Sequence, residues 1–185
     1  METTKDYIIS VLTDKSKLQE IYGLRVEAWE VSQSSNIINH QKYPEGFTDE
    51  FDEESIHLIA TDNLSDKIMS ACRVTLFDNS DRYPYIGFDN YDKFPTSSFS
   101  LIGRGVRNIN FRHKRLQYDF VSLALDICKQ HKMSYATGHA YNENVYMQNL
   151  MLDLGFHFFC DVGQDNYRNK DIAFPGKIFI ADLTR

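Results

Sequence analysis

The sequence predicts an α/β fold with a central mixed, largely antiparallel sheet of about six or seven strands and helices on both faces. The prediction starts from a strand–helix–strand unit in the middle of the chain. Residues 99–109 alternate between apolar and polar side chains, and residues 135–140 form a second strand. Between them, one face of an amphipathic helix is formed by Leu116, Phe120, Leu123, Ala124, Ile127 and Cys128.

The N-terminal part begins with a predicted strand over residues 7–12, after which Thr13 and Asp14 supply a helix cap. Arg25 lies in the middle of the following helix's apolar face, which consists of Leu18, Ile21, Tyr22, Ala28 and Trp29. A buried guanidinium without a partner is costly. Arg25 therefore either extends to the edge of this face or meets an acid.

Two further strands, residues 56–61 and 67–77, are expected to pair as an antiparallel hairpin. Arg73 in the second strand, and Arg104 in the central strand, again occur among apolar neighbours. Asp49 and Asp52 come shortly before the hairpin. Because three arginines in core-like patterns call for a common explanation, we predict an ionic cluster that joins these three arginines to the two aspartates.

The C-terminal part holds a helix that opens at Asn144 and closes at Gly155, followed by strands at residues 156–162 and 177–183. The aromatic side chains of residues 78–98 are expected to cap a core rather than to bind a ligand. Two glycines, Gly103 and Gly105, predict that the central strand is bent or bulged midway.

Composition limits the classes of protein. With 185 residues, of which 42% are hydrophobic, the chain is expected to form one domain over residues 1–185. Its net charge of −6 disfavours general nucleic-acid binding, which needs a basic domain. Three widely spaced cysteines favour reduced thiols and a cytoplasmic setting. Neither a secretory signal nor a membrane span is expected, and the chain is expected to be a monomer or a homodimer.

One basic segment contrasts with this acidic composition. No Asp or Glu occurs from Lys93 to Tyr118, a stretch that contains Arg104, Arg107, Arg112, Lys114 and Arg115. Most of these charges lie on the turn from the central strand to its helix, where unpaired backbone N–H groups favour anions. The segment is either a solvated basic surface or a phosphate-binding site.

Residues 102–117 (IGRGVRNINFRHKRLQ) resemble the central motif of the GNAT superfamily of acyl-CoA N-acyltransferases, Arg/Gln-x-x-Gly-x-Gly/Ala. Arg112 stands at the first motif position, Arg115 at the first glycine and Gln117 at the second. Since the family's glycines let backbone amides approach the donor's pyrophosphate, the two departures shift the expected contacts toward side chains. Residues 144–156 resemble the family's last helix.

The resemblance implies an acyl-CoA site that uses Gly105, Val106, Arg107, Arg112, His113, Lys114, Arg115, Leu116, Gln117 and Asn144. The family often has a tyrosine in the last helix that protonates the leaving thiolate. This chain has Met151 at that position, and Tyr146, one turn earlier, is the nearest phenol. Glu143 and His139 are candidates for assisting the transfer of the amine proton.

The N-terminal half also resembles acyl-homoserine-lactone (autoinducer) synthases, a GNAT-like branch that takes acyl groups from acyl carrier protein or acyl-CoA. The resemblance rests on Arg25-x-x-x-Trp29, Asp49-x-x-Asp52, Ala71-Cys-Arg73 and Arg104. In that branch these charged residues form a cluster beside the site. Leu101 stands here where the branch has a glutamate that is a candidate base.

These observations predict an N-acyltransferase that moves an acyl group from acetyl-CoA, a longer acyl-CoA or acyl carrier protein to a small-molecule amine, without a metal. Tyr146, Glu143 and Arg104 are the candidate catalytic residues. One alternative is an autoinducer-synthase-like enzyme that makes an acyl-homoserine lactone or an N-acyl amino acid. Another is a non-catalytic module that binds acyl groups or CoA. The acceptor and the acyl length stay open.

Overall fold

The computed structural model describes residues 7–32, 35–63, 66–111 and 115–184. In these residues seven strands form one sheet in the order β1-β2-β3-β4-β5-β7-β6, and helices flank it. The strands are β1 (Tyr7–Val11), β2 (Ile56–Asp62), β3 (Ile68–Phe77), β4 (Phe99–Arg107), β5 (Tyr135–Tyr141), β6 (His157–Val162) and β7 (Gly176–Asp182). The helices are α1 (Leu18–Glu30), α2 (Leu116–Gln130) and α3 (Val145–Asp153). The predicted α/β fold is confirmed.

The chain divides into two compact units. The first contains the described residues up to Arg73 together with Arg104–Phe120, and the second contains Val74–Gly103 and the described residues from Val121 onward. Strands β3 and β4 and helix α2 each contribute residues to both units. The prediction of a single domain over residues 1–185 stays a prediction.

In the first unit, β1 pairs antiparallel with β2, from Tyr7 opposite Asp62 to Val11 opposite Leu58. Asp14 accepts a hydrogen bond from the backbone N–H of Ser16 (3.0 Å) and so caps the short turn that leads into α1. The core side of α1 buries Leu18, Ile21, Leu24, Arg25, Val26 and Trp29. The predicted cap and most of the predicted face are therefore present.

In the second unit, β4 and β5 form a parallel pair in which Phe99–Ile102 lie opposite Tyr135–Gly138. Strand β7 pairs antiparallel with both β5 and β6. An aromatic core includes Tyr83, whose hydroxyl donates to Thr137 Oγ1 (3.2 Å) and whose ring packs against Phe94 and Phe99. The prediction that the aromatic residues of segment 78–98 cap a core is confirmed for Tyr83 and Phe94, which are both buried.

Strand β4 departs from extended geometry where the sequence predicts a bend, but at a different residue. Arg104 has a φ of 53°, in the left-handed region. Neither Gly103 nor Gly105 has a φ in the left-handed region, which is adopted by the arginine between them. The Arg104 side chain forms an ion pair with Asp49, as described below.

The three cysteines of the sequence are all buried as thiols, as core residues would be. Cys128 Sγ lies 2.9 Å from Ser100 Oγ in the second unit. Within the described ranges, no helix has the length and hydropathy needed to cross a membrane.

Candidate functional site

The centre of the first unit is a chain of ion pairs, here called the arginine–aspartate cluster: Arg25, Asp49, Asp52, Arg73 and Arg104. Arg25 on α1 contacts both oxygens of Asp52, with Nη1 to Oδ2 at 2.7 Å and Nη2 to Oδ1 at 2.8 Å. Arg25 is only 1% exposed. Of the two possibilities that the sequence leaves open, Arg25 therefore meets an acid and does not extend to an edge.

Asp52 is the most fully hydrogen-bonded member of the cluster. Arg73 Nη1 lies 2.8 Å from its Oδ1, while Thr48 Oγ1 (3.1 Å) and the backbone N–H of Asp49 (2.9 Å) donate to Oδ2. Burial by itself raises the pKa of this carboxyl. The hydrogen bond and charge of Arg25, with the charge of Arg73, outweigh burial and hold the pKa of Asp52 well below its ordinary value.

Asp49 joins the buried part of the cluster to its more exposed end. Its Oδ1 lies 2.5 Å from Arg73 Nη1, and its Oδ2 lies 2.6 Å from Arg104 Nη2 and 3.0 Å from Arg104 Nε. Burial raises the pKa of Asp49, but the charges of Arg104 and Arg73 prevail and keep the pKa low. The Arg104 side chain is 21% exposed and lies over the rings of Trp29 and Phe47.

The ion pairing that the sequence predicts among these five residues is thus confirmed, and Trp29 lies beside them. Helix α1 presents Arg25, the segment before β2 presents Asp49 and Asp52, and β3 and β4 present Arg73 and Arg104. The cluster holds three guanidinium groups and two carboxylates, so its positive charge is in excess. Its role in binding a substrate stays a prediction.

His57 on β2 belongs to this environment, and sequence reasoning missed it. Its Nε2 lies 2.9 Å from the backbone carbonyl of Asp52, and because a carbonyl only accepts, Nε2 carries the proton. Among the described residues, buried Nδ1 has no hydrogen-bond partner. Burial and the neighbouring positive charges lower the pKa of His57, although its bond to the carbonyl opposes them. A neutral histidine on a strand gives no recognisable pattern in a sequence.

Three of the residues predicted to bind the donor, Arg112, His113 and Lys114, lie outside the described residues. Gly105 is exposed and Arg107 is half-buried at the end of β4. Val106 is buried, and its carbonyl accepts a hydrogen bond from Ser70 Oγ (2.5 Å).

The start of α2 supplies three more of the predicted donor contacts. Arg115 is exposed, and its guanidinium lies 5.5 Å from the centre of the Tyr118 ring. Gln117 is half-buried, whereas Leu116 is fully buried in the core. A ligand at this turn would therefore meet the side chains of Arg115 and Gln117 but only the backbone of Leu116.

The remaining predicted residues lie at the start of α3, in the second unit. Asn144 Oδ1 accepts from the backbone N–H of Met147 (3.1 Å), so the predicted helix cap is confirmed. Glu143 is exposed, and Tyr146 is 53% exposed. Their catalytic roles stay predictions, as does the binding role of Asn144.

Two positions where the resembling families have proton-transfer residues are packed into the core. Met151 is buried against Gly138 on β5, where an added Cβ would lie 2.6 Å from Met151 Cε. Leu101 on β4 is also buried. His139, which the sequence offers as an assisting base, has Nε2 3.2 Å from the Tyr167 hydroxyl and its ring stacked on Tyr85.

A metal centre was not expected. In the part of the chain that the structure describes, no group of three or more His, Cys, Asp or Glu side chains is arranged to hold a metal ion.

The sheet order, with the parallel pair β4–β5 near its centre and helices flanking it, is the fold of GNAT acetyltransferases. A GNAT-family acetyltransferase from Staphylococcus aureus covers 96% of this chain and 100% of its own, with a TM-score of 0.60 and 12% identity. A Salmonella typhimurium protein assigned as an acetyltransferase and solved with acetyl-CoA covers 98% and 96%, with a TM-score of 0.62 and 11% identity.

The ribosomal-protein-S18-alanine N-acetyltransferase of Escherichia coli covers 97% of this chain and 95% of its own, with a TM-score of 0.62 and 11% identity. No protein-family model and no curated protein sequence matches the chain. At these identities the likeness establishes the fold, and the resemblance to autoinducer synthases is not confirmed by it.

Proposed function

We propose that the protein is an N-acyltransferase that moves an acyl group from a coenzyme A thioester to an amine. The observation that carries the proposal is the fold, which acetyltransferases share over at least 95% of their own length in the three comparisons described. One of these neighbours was solved with acetyl-CoA. Acetyl-CoA is therefore the first donor to test, ahead of longer acyl-CoAs and acyl carrier protein.

In the proposed reaction a neutral amine attacks the thioester carbonyl, a C–N bond forms and the C–S bond breaks. The amine gives up one proton, and the thiolate takes one. Backbone groups of Gly105–Arg107 align the pantetheine, while Arg115, with Arg112 and Lys114 from the sequence, binds phosphate. Tyr146 is the candidate that protonates the thiolate, and Glu143 or His139 the candidate that accepts the amine proton.

A second candidate is an autoinducer-synthase-like enzyme that makes an acyl-homoserine lactone or an N-acyl amino acid. The arginine–aspartate cluster favours it, because its five members pair as the resemblance to that branch implies. This candidate uses a longer acyl donor, on CoA or on a carrier protein. A preference for long-chain over acetyl donors would select it.

A non-catalytic module that binds acyl groups or CoA is the third candidate. It is favoured by Met151 and Leu101, which are core side chains where proton-transfer residues are expected. It predicts saturable donor binding without any product.

Equilibrium binding of acetyl-CoA, a long-chain acyl-CoA and free CoA, measured by calorimetry, tests the donor site. We expect micromolar binding that weakens about tenfold in Arg115→Ala, since a tenfold change corresponds to the loss of about 1.4 kcal/mol. Lys129→Ala is the matched control, because Lys129 is an exposed cation at the other end of α2. Equal weakening in both variants, or no binding by the wild type to any of the three ligands, would refute a CoA site at this turn.

A further inference from the structure

Arg104 has an unusual backbone for its residue type. Its φ of 53° is in the left-handed region, which costs free energy for a residue with a Cβ and is uncommon outside Gly, Asn and Asp. The two neighbouring glycines would adopt this conformation without penalty, yet neither does. Something other than local preference must hold Arg104 in this state.

The side chain of Arg104 is anchored by Asp49. Two nitrogens of the guanidinium, Nε and Nη2, contact the same oxygen of Asp49 at 3.0 and 2.6 Å. The guanidinium also lies over the rings of Trp29 and Phe47, 5.7 and 5.2 Å from their centres. A side-on ion pair of this kind fixes the direction of the arginine side chain and therefore restrains its backbone.

Asp49 is itself rigidly placed. Its other oxygen, Oδ1, accepts from Arg73 Nη1 (2.5 Å) and from the backbone N–H of Phe51 (3.1 Å). Its own backbone N–H donates to Asp52 Oδ2 at 2.9 Å. The buried part of the cluster thus fixes the position of Asp49. Asp49 in turn restrains the Arg104 side chain on β4.

After Arg104, hydrogen bonds join β4 and the residue that follows it to β3. Ser70 Oγ donates to the carbonyl of Val106 (2.5 Å), and the backbone N–H of Asn108 donates to the carbonyl of Met69 (2.8 Å). The backbone of Arg104 and Gly105 therefore lies between the Asp49 anchor and these attachments to β3.

We propose that Asp49 is a positioning residue. Its ion pair with Arg104 stabilises the left-handed turn, and this turn orients the backbone of Gly105–Arg107. The inference rests on the proposed function, in which that backbone aligns the pantetheine of the donor. Asp49 makes no contact with the substrate in this account. It acts on donor binding through Arg104.

Glycine at position 104 provides the test, because it adopts a positive φ without a side-chain anchor. We expect Asp49→Asn and Arg104→Ala each to weaken acetyl-CoA binding about tenfold, and Arg104→Gly to weaken it only about threefold. In the Arg104→Gly background, Asp49→Asn should cause no further loss. If Asp49→Asn weakened acetyl-CoA binding equally in the wild type and in the Arg104→Gly background, the proposal would be overturned.

Amide hydrogen exchange at Gly105 and Val106 gives a readout that does not depend on the donor. We expect faster exchange in Asp49→Asn and Arg104→Ala, and near wild-type exchange in Arg104→Gly. Asp66→Asn is the control, since it removes the carboxylate of an exposed ion pair with Lys17. Unchanged exchange in both Asp49→Asn and Arg104→Ala would also overturn the proposal.

Donor binding and amide hydrogen exchange together distinguish a failure of the inference from a failure of the proposed function on which it rests. If wild-type protein binds no donor, the proposed function fails while the exchange pattern still decides whether Asp49 sets the turn. If Asp49→Asn does not fold, the comparison of Arg104→Ala with Arg104→Gly remains, because both variants keep the Asp49–Arg73 pair.

Discussion

At the scale of single residues, Arg25 and Asp52 form a buried ion pair in which each charge needs the other. Both side chains are almost fully buried, and two hydrogen bonds join them, although Arg25 Nε has no hydrogen-bond partner among the described residues. Such a pair contributes little compared with an apolar pair of the same shape, but removing one partner leaves a buried charge. The cluster therefore makes the first unit sensitive to single substitutions.

Arg25→Met is expected to lower the free energy of unfolding by about 3–5 kcal/mol, because it leaves Asp52 buried with less compensation. Urea denaturation measures this loss. Lys17→Met is the control, since Lys17 forms an exposed ion pair with Asp66, and it should cost far less. Similar losses for the two variants would contradict our account of the cluster.

His57 is expected to make stability depend on pH. Its folded pKa lies below the ordinary value of 6.5 because burial outweighs its bond to the Asp52 carbonyl and Arg25 and Arg73 lie nearby. The unfolded chain then binds a proton that the folded chain does not. The contribution of neutral His57 to the free energy of unfolding is therefore fully present above about pH 7. It is lost as the pH falls through 6.5 toward the folded pKa.

Urea midpoints at pH 7.5, 6 and 5 test this expectation. His57→Gln cannot take up the proton, so it should lose less stability between neutral and mildly acidic pH than the wild type does. His131→Gln is the matched control, because His131 is exposed. Since Asp49 and Asp52 have lowered pKa values, their contribution is lost only at more acidic pH. A His57→Gln slope equal to that of the wild type would refute the assignment.

The sequence predicts the ionic cluster because arginines within apolar patterns must find acids, and Asp49 and Asp52 are the acids close to a strand. It does not predict His57, since a neutral histidine bonded to one carbonyl resembles any polar strand residue. The two glycines predict a departure from extended geometry midway along β4, and the residue with a positive φ is Arg104, which lies between them. A long-range ion pair places the left-handed turn on an arginine, which local preference does not favour.

At the scale of secondary-structure elements, the packing of β5 and β7 depends on glycines. A Cβ at Gly176 would lie 2.4 Å from the backbone carbonyl of Ala140 and 2.4 Å from His139 Nε2. A Cβ at Gly138 would instead meet the flexible end of Met151, with Cε at 2.6 Å. The first clash involves backbone, whereas the second can be relieved by a side-chain movement.

Gly176→Ala is therefore expected to lower the free energy of unfolding by about 1–3 kcal/mol, and Gly138→Ala to cost clearly less. Thermal denaturation of both variants gives the comparison. Equal losses of unfolding free energy in the two variants would mean that the Met151 side chain is as immobile as the sheet backbone around it.

The helices and strands themselves are largely predictable from periodicity, as in α2, where the spacing of Leu116, Phe120 and Ala124 marks one buried face. Asn144 and Gly155 mark the limits of α3 because one accepts from a backbone N–H and the other has a φ of 87°. The order of the strands does not follow from such local signals. It depends on pairing between distant segments, such as β5 with β7.

At the scale of the whole molecule, the sequence predicts one domain, while the structure contains two compact units. Strands β3 and β4 and helix α2 each contribute residues to both units. We therefore expect one cooperative thermal transition whose calorimetric and van't Hoff enthalpies agree. Two resolved transitions in scanning calorimetry would show that the units unfold separately.

The likeness to acetyltransferases extends over at least 96% of the chain and establishes the fold, and acyl transfer from a thioester to an amine is the function that we propose on this basis. The fold could be predicted because several motifs occur in order, and the acceptor could not because no motif encodes it. A cytoplasmic setting remains a prediction from the cysteines, and the choice between monomer and homodimer stays open.

The most direct test is thiol release from acetyl-CoA, long-chain acyl-CoAs and acylated carrier protein in the presence of a panel of amines, with the amide product identified by mass spectrometry. We predict amine-dependent thiol release with one molecule of amide formed per thiol released, and slower turnover in Tyr146→Phe. Donor binding without amide from any donor and amine pair would contradict the enzymatic account and leave the non-catalytic module.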